Sequence, residues 1–197
     1  MSNGKFTFNM VDLLHSILGD SNWSFAKLTV DCSDFPIWEP TPFSQSWWSF
    51  KFNGAALRYE LAVCIQTGLI AWVNGPFRPA YWPDLSIFRF GGLMQKLAVG
   101  EWVVADKGYR DNMQFVLPKG WGPDWFQQMT SDATARHENI NGRMKRFRIL
   151  SEKYRNKLEL HETTFLAIAN VINCEIVMGY KPMDVDYDDT ALGAPLN

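Results

Sequence analysis

From Lys27 onward the chain alternates, with Leu28, Val30 and Cys32 apolar and Thr29, Asp31 and Ser33 polar between them. Period two over this length predicts a half-buried strand with Asp31 on its polar side. Upstream, Met10–Leu18 reads as a short helix closed by Gly19. Pro36, Pro40 and Pro42 then mark an extended loop, and Trp47–Phe52 a short strand. Leu57–Gln66 and Leu69–Asn74 flank Thr67-Gly68, a two-residue hairpin signal, and Asn74-Gly-Pro76 turns the chain out of it. A helix is expected from Pro83-Asp84, with Asp84 in its first turn, to about Leu97 despite Gly91-Gly92. Trp102–Asp106 reads as a buried strand and Gln114–Leu117 as another. The Gly-, Pro- and Trp-rich stretch from Pro118 to Thr130 reads as an ordered loop. Two helices follow, Ala133–Tyr154 and Glu159–Met178, the second with a stripe of Phe165, Ile168, Ala169 and Ile172. Strands first, helices interleaved and helices last predict an α/β domain with a mixed sheet.

Composition supports one domain. The 197 residues can bury a sizeable core, and with 47% apolar residues and nine tryptophans the chain is no candidate for disorder outside its ends. A short segment over 1–26, a domain over 27–179 and an acidic, disordered tail over 180–197 are the expected divisions. Cys32, Cys64 and Cys174 are too few and scattered for a disulfide framework or a structural zinc site, so they read as buried thiols in a reducing compartment. No apolar run has the length of a membrane span, and no basic-then-apolar signal opens the chain.

Charge changes the picture more. The net charge is −2, yet Arg136–Lys157 holds eight basic residues against Glu138 and Glu152. The acids gather elsewhere, much of them in Asp184-Val-Asp-Tyr-Asp-Asp189. A basic stripe on an acidic body fits a polyanion footprint, while a solvated helix face is the plainer reading.

Asp31, Asp106 and Glu138 carry the candidate chemistry. The two aspartates close strands, where desolvation makes a lone charge costly. With a glutamate from a helix they form an oxygen donor set suited to hard divalent cations. Two such ions can serve phosphodiester cleavage by in-line displacement, if Asp31 and Asp106 lie on neighbouring strands and share a face. On the helix, Glu138 and Lys145 are seven apart and so only about 20° out of line, with Asn141 and Gly142 between them. A small polar surface there admits a phosphate backbone; the alternative is that Gly142 is merely tolerated. Asp34 is a rival to Asp31, and Asp111 is expected in solvent. Glu60 is expected to be buried with Arg58 or Lys51 as a structural pair. His15, His137 and His161 form no ligand set.

Val30-Asp-Cys-Ser-Asp-Phe-Pro-Ile37, Tyr59–Val63, Trp72–Pro76, Asp84–Phe88, Gly100-Glu-Trp-Val-Val-Ala-Asp-Lys-Gly-Tyr109 and Arg136–Leu150 occur in the order seen in Harbinger-like DDE superfamily endonucleases. The resemblance runs from about Lys27 to Ile176. It implies a ribonuclease-H-like fold, a metal-binding catalytic triad of Asp31, Asp106 and Glu138, and magnesium or manganese as the ions. Asp84 matches an acidic position that recurs in such sequences, and a role in starting its helix stands beside a site role. The Glu138-to-Lys145 spacing also resembles the end of the tyrosine-arginine-glutamate-lysine signature of IS4-type transposases. Ser131 and Thr134 stand where that signature has its tyrosine and arginine, so only Glu138 and Lys145 carry over.

The expected function is a divalent-metal-dependent DNA endonuclease or transposase core. A transposase-derived DNA- or protein-binding module without catalysis is the alternative. Lys107, Arg136, Asn141, Arg143, Lys145 and Arg146 are the expected DNA contacts. Only 26 residues precede the first strand, too few for a three-helix DNA-reading module. Because Harbinger-like systems often pair the nuclease with a Myb-like DNA-binding protein, a separate partner of that kind is expected. The expected location is the nucleus in a eukaryotic source and otherwise the cytoplasm.

Overall fold

A computed structural model describes residues 26–98, 101–106, 109 and 124–183. The expected elements at Met10–Leu18 and Gln114–Leu117, together with Lys107, Asp111 and residues 184–197, lie outside the described residues. Five strands form one mixed sheet: β1 (Ala26–Pro36), β2 (Trp48–Ser49), β3 (Gly54–Cys64), β4 (Ile70–Phe77) and β5 (Trp102–Ala105). β3 pairs antiparallel with both β1 and β4, and β5 runs parallel to β1 on its other side. Four α-helices accompany the sheet: α1 (Asp84–Phe90), α2 (Asp124–Arg146), the single turn α3 (Arg148–Ser151) and α4 (His161–Val177). The expectation of a mixed sheet with flanking helices is met, and the architecture is consistent with a ribonuclease-H-like fold. No helix among the described residues is long and apolar enough to cross a membrane.

The sheet has two covered faces, and β1 contributes to both. Leu28, Val30 and Cys32 join Ile87 and Phe88 of α1. Phe35 and Ile37 join Ile140 of α2 and Phe165 of α4, whose ring stacks on Tyr59 with centroids 3.9 Å apart. The half-buried strand expected from alternation is therefore a central strand: Thr29 and Ser33 are buried, and on that polar side Asp31 alone reaches the boundary with water. The expected α4 stripe is buried in full, and Asn173 on the same helix adds paired hydrogen bonds to the backbone of Ile70.

Several boundaries differ for local reasons. The hairpin strands stop at Cys64 and restart at Ile70, because Ile65 N–H bonds to Lys27 O instead. Gly68, at φ +76, lies against Pro182, where any side chain would collide. Helix α1 stops at Phe90 rather than Leu97: Gly91 closes it, and Gly92 at φ +110 turns the chain away. A 3-10 turn at Met94–Lys96 is all that follows. Where a strand was expected over Trp47–Phe52, a 3-10 turn leads into the two residues of β2 and a turn at 50–53. Helix α2 begins at Asp124, inside the expected loop, and ends at Phe147, whose extended backbone redirects the chain. Tyr154 can then donate its N–H to Pro36 O and pair beside Ile37 at the end of β1.

Candidate active site

Helix α2 lies along β1 in matching steps. His137 Nδ1 sits 2.8 Å from Thr29 Oγ1, and one helical turn later Asn141 Nδ2 donates to Asp31 Oδ2 at 3.1 Å. Four helical residues rise about 6 Å and two strand residues about 6.6 Å, so the two elements stay in step. A further turn on, Lys145 is exposed, with Nζ 5.9 Å from the Phe35 ring centroid. Both histidines are structural. Burial lowers His137 to about 4, and it lowers His161, bonded to Tyr59 Oη at 2.8 Å, to about 4 as well.

The parallel register of β1 and β5 runs through Thr29↔Val104 and Val30↔Ala105. Asp106 is the residue after β5 and is exposed; the same register continued one step would set it level with Asp31. Val104 packs against Met129 and Ala133 of α2, the helix that Thr29 and Asp31 also face, and the charge of Asp106 is near enough to act on Asp31. Neighbouring strands lie about 4.8 Å apart, close enough for the two charges to be felt. The Asp31 carboxyl is pushed up to about 6, first by burial; Lys51 opposes this, the charge of Asp84 adds to it, the Cys32 backbone N–H opposes it, and Asp106 adds again. Asn141 Oδ1 is buried beside Asp31 with no hydrogen-bond partner. Asp31, Asp106 and Asn141 offer hard oxygen donors of the kind a divalent cation takes.

Glu138 is not gathered with them. Its side chain is exposed, one residue past His137 and one turn before Asn141, on the outer shoulder of the row that faces β1. Among the described residues, no three His, Cys, Asp or Glu side chains stand close enough together to hold an ion.

The rival acids have other partners. Asp34 faces the opposite layer and is completely buried, taking Arg58 Nε at 2.6 Å, Arg58 Nη2 at 2.9 Å and Ser49 Oγ at 2.6 Å. Arg58 also reaches Asp84 Oδ1 at 2.7 Å and so ties α1 to the sheet. Burial pushes the Asp84 carboxyl up, against the pull of Arg58 and Lys51. Asp84 thus both opens its helix and acts electrostatically on Asp31. The expected pairing of Glu60 with Arg58 or Lys51 does not occur. Arg58 is taken by the aspartates and Lys51 Nζ bonds to Cys32 O at 3.0 Å. Glu60 is buried, accepts Trp72 Nε1 at 3.0 Å, and is pushed up to about 8 by burial.

The basic stripe is narrower than its sequence. Arg136 is buried and donates to the carbonyls of Ile65, Gln66 and Met183, which removes it from the surface a phosphate meets. Arg143 holds the carbonyls of Tyr180 and Lys181, and Asn141 faces Asp31 rather than solvent. Lys145 is exposed, as is Arg146, which lies 3.9 Å from Glu175. Gly142 is exposed, and a Cβ there would meet nothing within 4 Å, so no internal packing requires a glycine. Sequence reasoning offered Lys51 only to Glu60 and missed its action on Asp31, which arises through the fold from a turn without motif or periodicity.

A mixed sheet in which β1 pairs antiparallel with β3 and parallel with β5 is consistent with a ribonuclease-H-like architecture. A family model described as DDE superfamily endonuclease matches residues 30–174. The chain belongs to that family, as the Harbinger-like motifs of its sequence imply. No curated protein and no solved structure matches the chain.

Proposed function

We propose that the chain is the catalytic core of a divalent-metal-dependent DNA endonuclease or transposase. The observation that supports this reading is the buried Asp31 carboxyl on β1, acted on by the charge of Asp106 just past the end of the neighbouring β5. Asp31 and Asp106 would hold magnesium or manganese, with Glu138 completing the carboxylate set from α2. A divalent metal held there would supply the charge stabilisation that phosphodiester displacement needs. The chain's own residues do the rest. Asn141 fixes the orientation of the Asp31 carboxylate through its amide. Lys145 and Arg146 meet the phosphate backbone as point charge and fork, and the bare surface at Gly142 lets that backbone approach the helix. These cations position a duplex without reading its sequence, so site selection falls to a separate Myb-like DNA-binding partner. The work is nuclear in a eukaryotic source and cytoplasmic otherwise.

One observation favours a second reading, a DNA- or protein-binding module without catalysis: Glu138 stands apart from the two aspartates. Incubation of a short DNA duplex with the chain and Mn²⁺, with Asp106→Asn as control, decides between them. Cleavage that vanishes in Asp106→Asn is the expected result. Binding without cleavage would support the second reading.

A further inference from the structure

Beside the aspartates, two loops expose large rings to water. The turn between β2 and β3 carries Phe50, 85% exposed, and Phe52, 43% exposed, on either side of Lys51. The segment that leads into Asp84 carries Tyr81, 67% exposed, and Trp82, 36% exposed. The 3-10 turn that leads into β2 touches the second segment: Ala80 N–H donates to Ser46 O at 3.2 Å, and the Arg78 guanidinium lies 4.3 Å from the Trp47 ring centroid. Both loops are anchored at the site. Lys51 Nζ is bonded to Cys32 O, next to Asp31, and Arg58 holds Trp82 O at 3.2 Å while it holds Asp84.

A water-facing phenylalanine on a tight turn contributes nothing to the core, and single exposed apolar residues are ordinary. Two exposed rings flanking one cation, with two more on the segment that Arg58 ties to Asp84, are not scattered singly. Flat faces that accept any base, with a positive charge between them for the backbone, are the means by which proteins hold single strands. A folded protein partner would leave the Lys51 charge unmatched in an apolar contact, whereas a nucleic-acid strand supplies both a stacking face and a phosphate.

We propose that the Phe50-Lys51-Phe52 turn, with Tyr81, forms a stacking rim that takes unpaired bases of the strand approaching Asp31. This rests on the nucleic-acid reading above and adds that the bound strand is locally unpaired. The rim grips bases by stacking, and Lys51 meets the phosphate between them.

The test compares a short blunt DNA duplex with the same duplex carrying a mismatched, frayed end labelled with 2-aminopurine, both in metal-free buffer. The natural chain is expected to bind the frayed end about tenfold more tightly and to quench its fluorescence. The double variant Phe50→Ala, Phe52→Ala should lose both the preference and the quenching while keeping its affinity for blunt duplex. Phe50→Tyr should retain both. Equal affinity of the natural chain for the two duplexes overturns the inference alone, as does a preference that survives in the double variant. Self-association of the natural chain in sedimentation that the double variant abolishes would assign the rim to contact between copies, and would also overturn it. Binding to neither duplex overturns the nucleic-acid reading and the inference with it.

Discussion

Asp31 and Asp34 leave the same strand three residues apart and face opposite layers. Asp34 is wholly buried and fully answered: a two-pronged guanidinium and a hydroxyl take its oxygens. Asp31 is half-buried, yet receives only an amide and its neighbour's backbone N–H, with Lys51 acting at longer range. The more buried acid is the better compensated one. Charge left over, rather than burial, separates the acid that holds the fold together from the acid proposed to hold a cation.

The largest expected effect comes from breaking the compensated side. Asp34→Ala leaves Arg58 partly buried with Asp84 as its remaining carboxylate, and should cost about 3–5 kcal/mol in urea denaturation. Asp31→Asn should carry no such cost in metal-free buffer. A small loss in Asp34→Ala would dissolve the distinction between the two acids.

The sign of the pH response sharpens it. The Asp31 carboxyl, raised to about 6 when folded against 3.8 as its ordinary value, penalises the metal-free folded state wherever it must ionise. That penalty is absent below about pH 4 and complete above about pH 6. In chelator-treated samples Asp31→Asn should therefore exceed the natural chain in stability by on the order of 2 kcal/mol at neutral pH, and the gap should close as pH falls from 6 to 4. Denaturation of both proteins across this range checks it.

Two smaller effects probe the helix that serves Asp31. Gly142→Ala removes a helix-interior glycine with open space around it, so the fold should gain about 1 kcal/mol while DNA affinity falls. A gain on both counts would show that the bare surface serves no ligand. Lys145→Ala should leave stability unchanged and reduce the slope of log affinity against log salt by about one unit, equally for all duplexes.

Much of this was legible in the sequence where local and tertiary demands agree. The strands carrying Asp31 and Asp106 announce themselves by alternation and by an apolar run, and the α4 stripe by helical period. Boundaries failed where a tertiary bond outbid local propensity. Ile65 leaves the hairpin to bond Lys27, and Phe147 breaks a helix so that Tyr154 can pair at the end of β1. The Gly-, Pro- and Trp-rich approach to α2 hid a helix start at Asp124. Within the site, residue type misled where burial reassigned it. Arg136 and Asn141 look like DNA contacts in a basic run, but one fastens backbone carbonyls and the other orients Asp31. Lys51 and the Arg58 bridge between Asp34 and Asp84 join residues far apart in sequence, and no spacing rule reveals them.

Calorimetric titration of Mn²⁺ into the natural chain, Asp31→Asn, Asp106→Asn and Asp34→Asn tests the central claim most directly. Binding by the natural chain that is lost in Asp31→Asn and in Asp106→Asn, and kept in Asp34→Asn wherever that variant folds, is the predicted result. No binding by the natural chain at millimolar Mn²⁺, or binding that survives in both Asp31→Asn and Asp106→Asn, would contradict it.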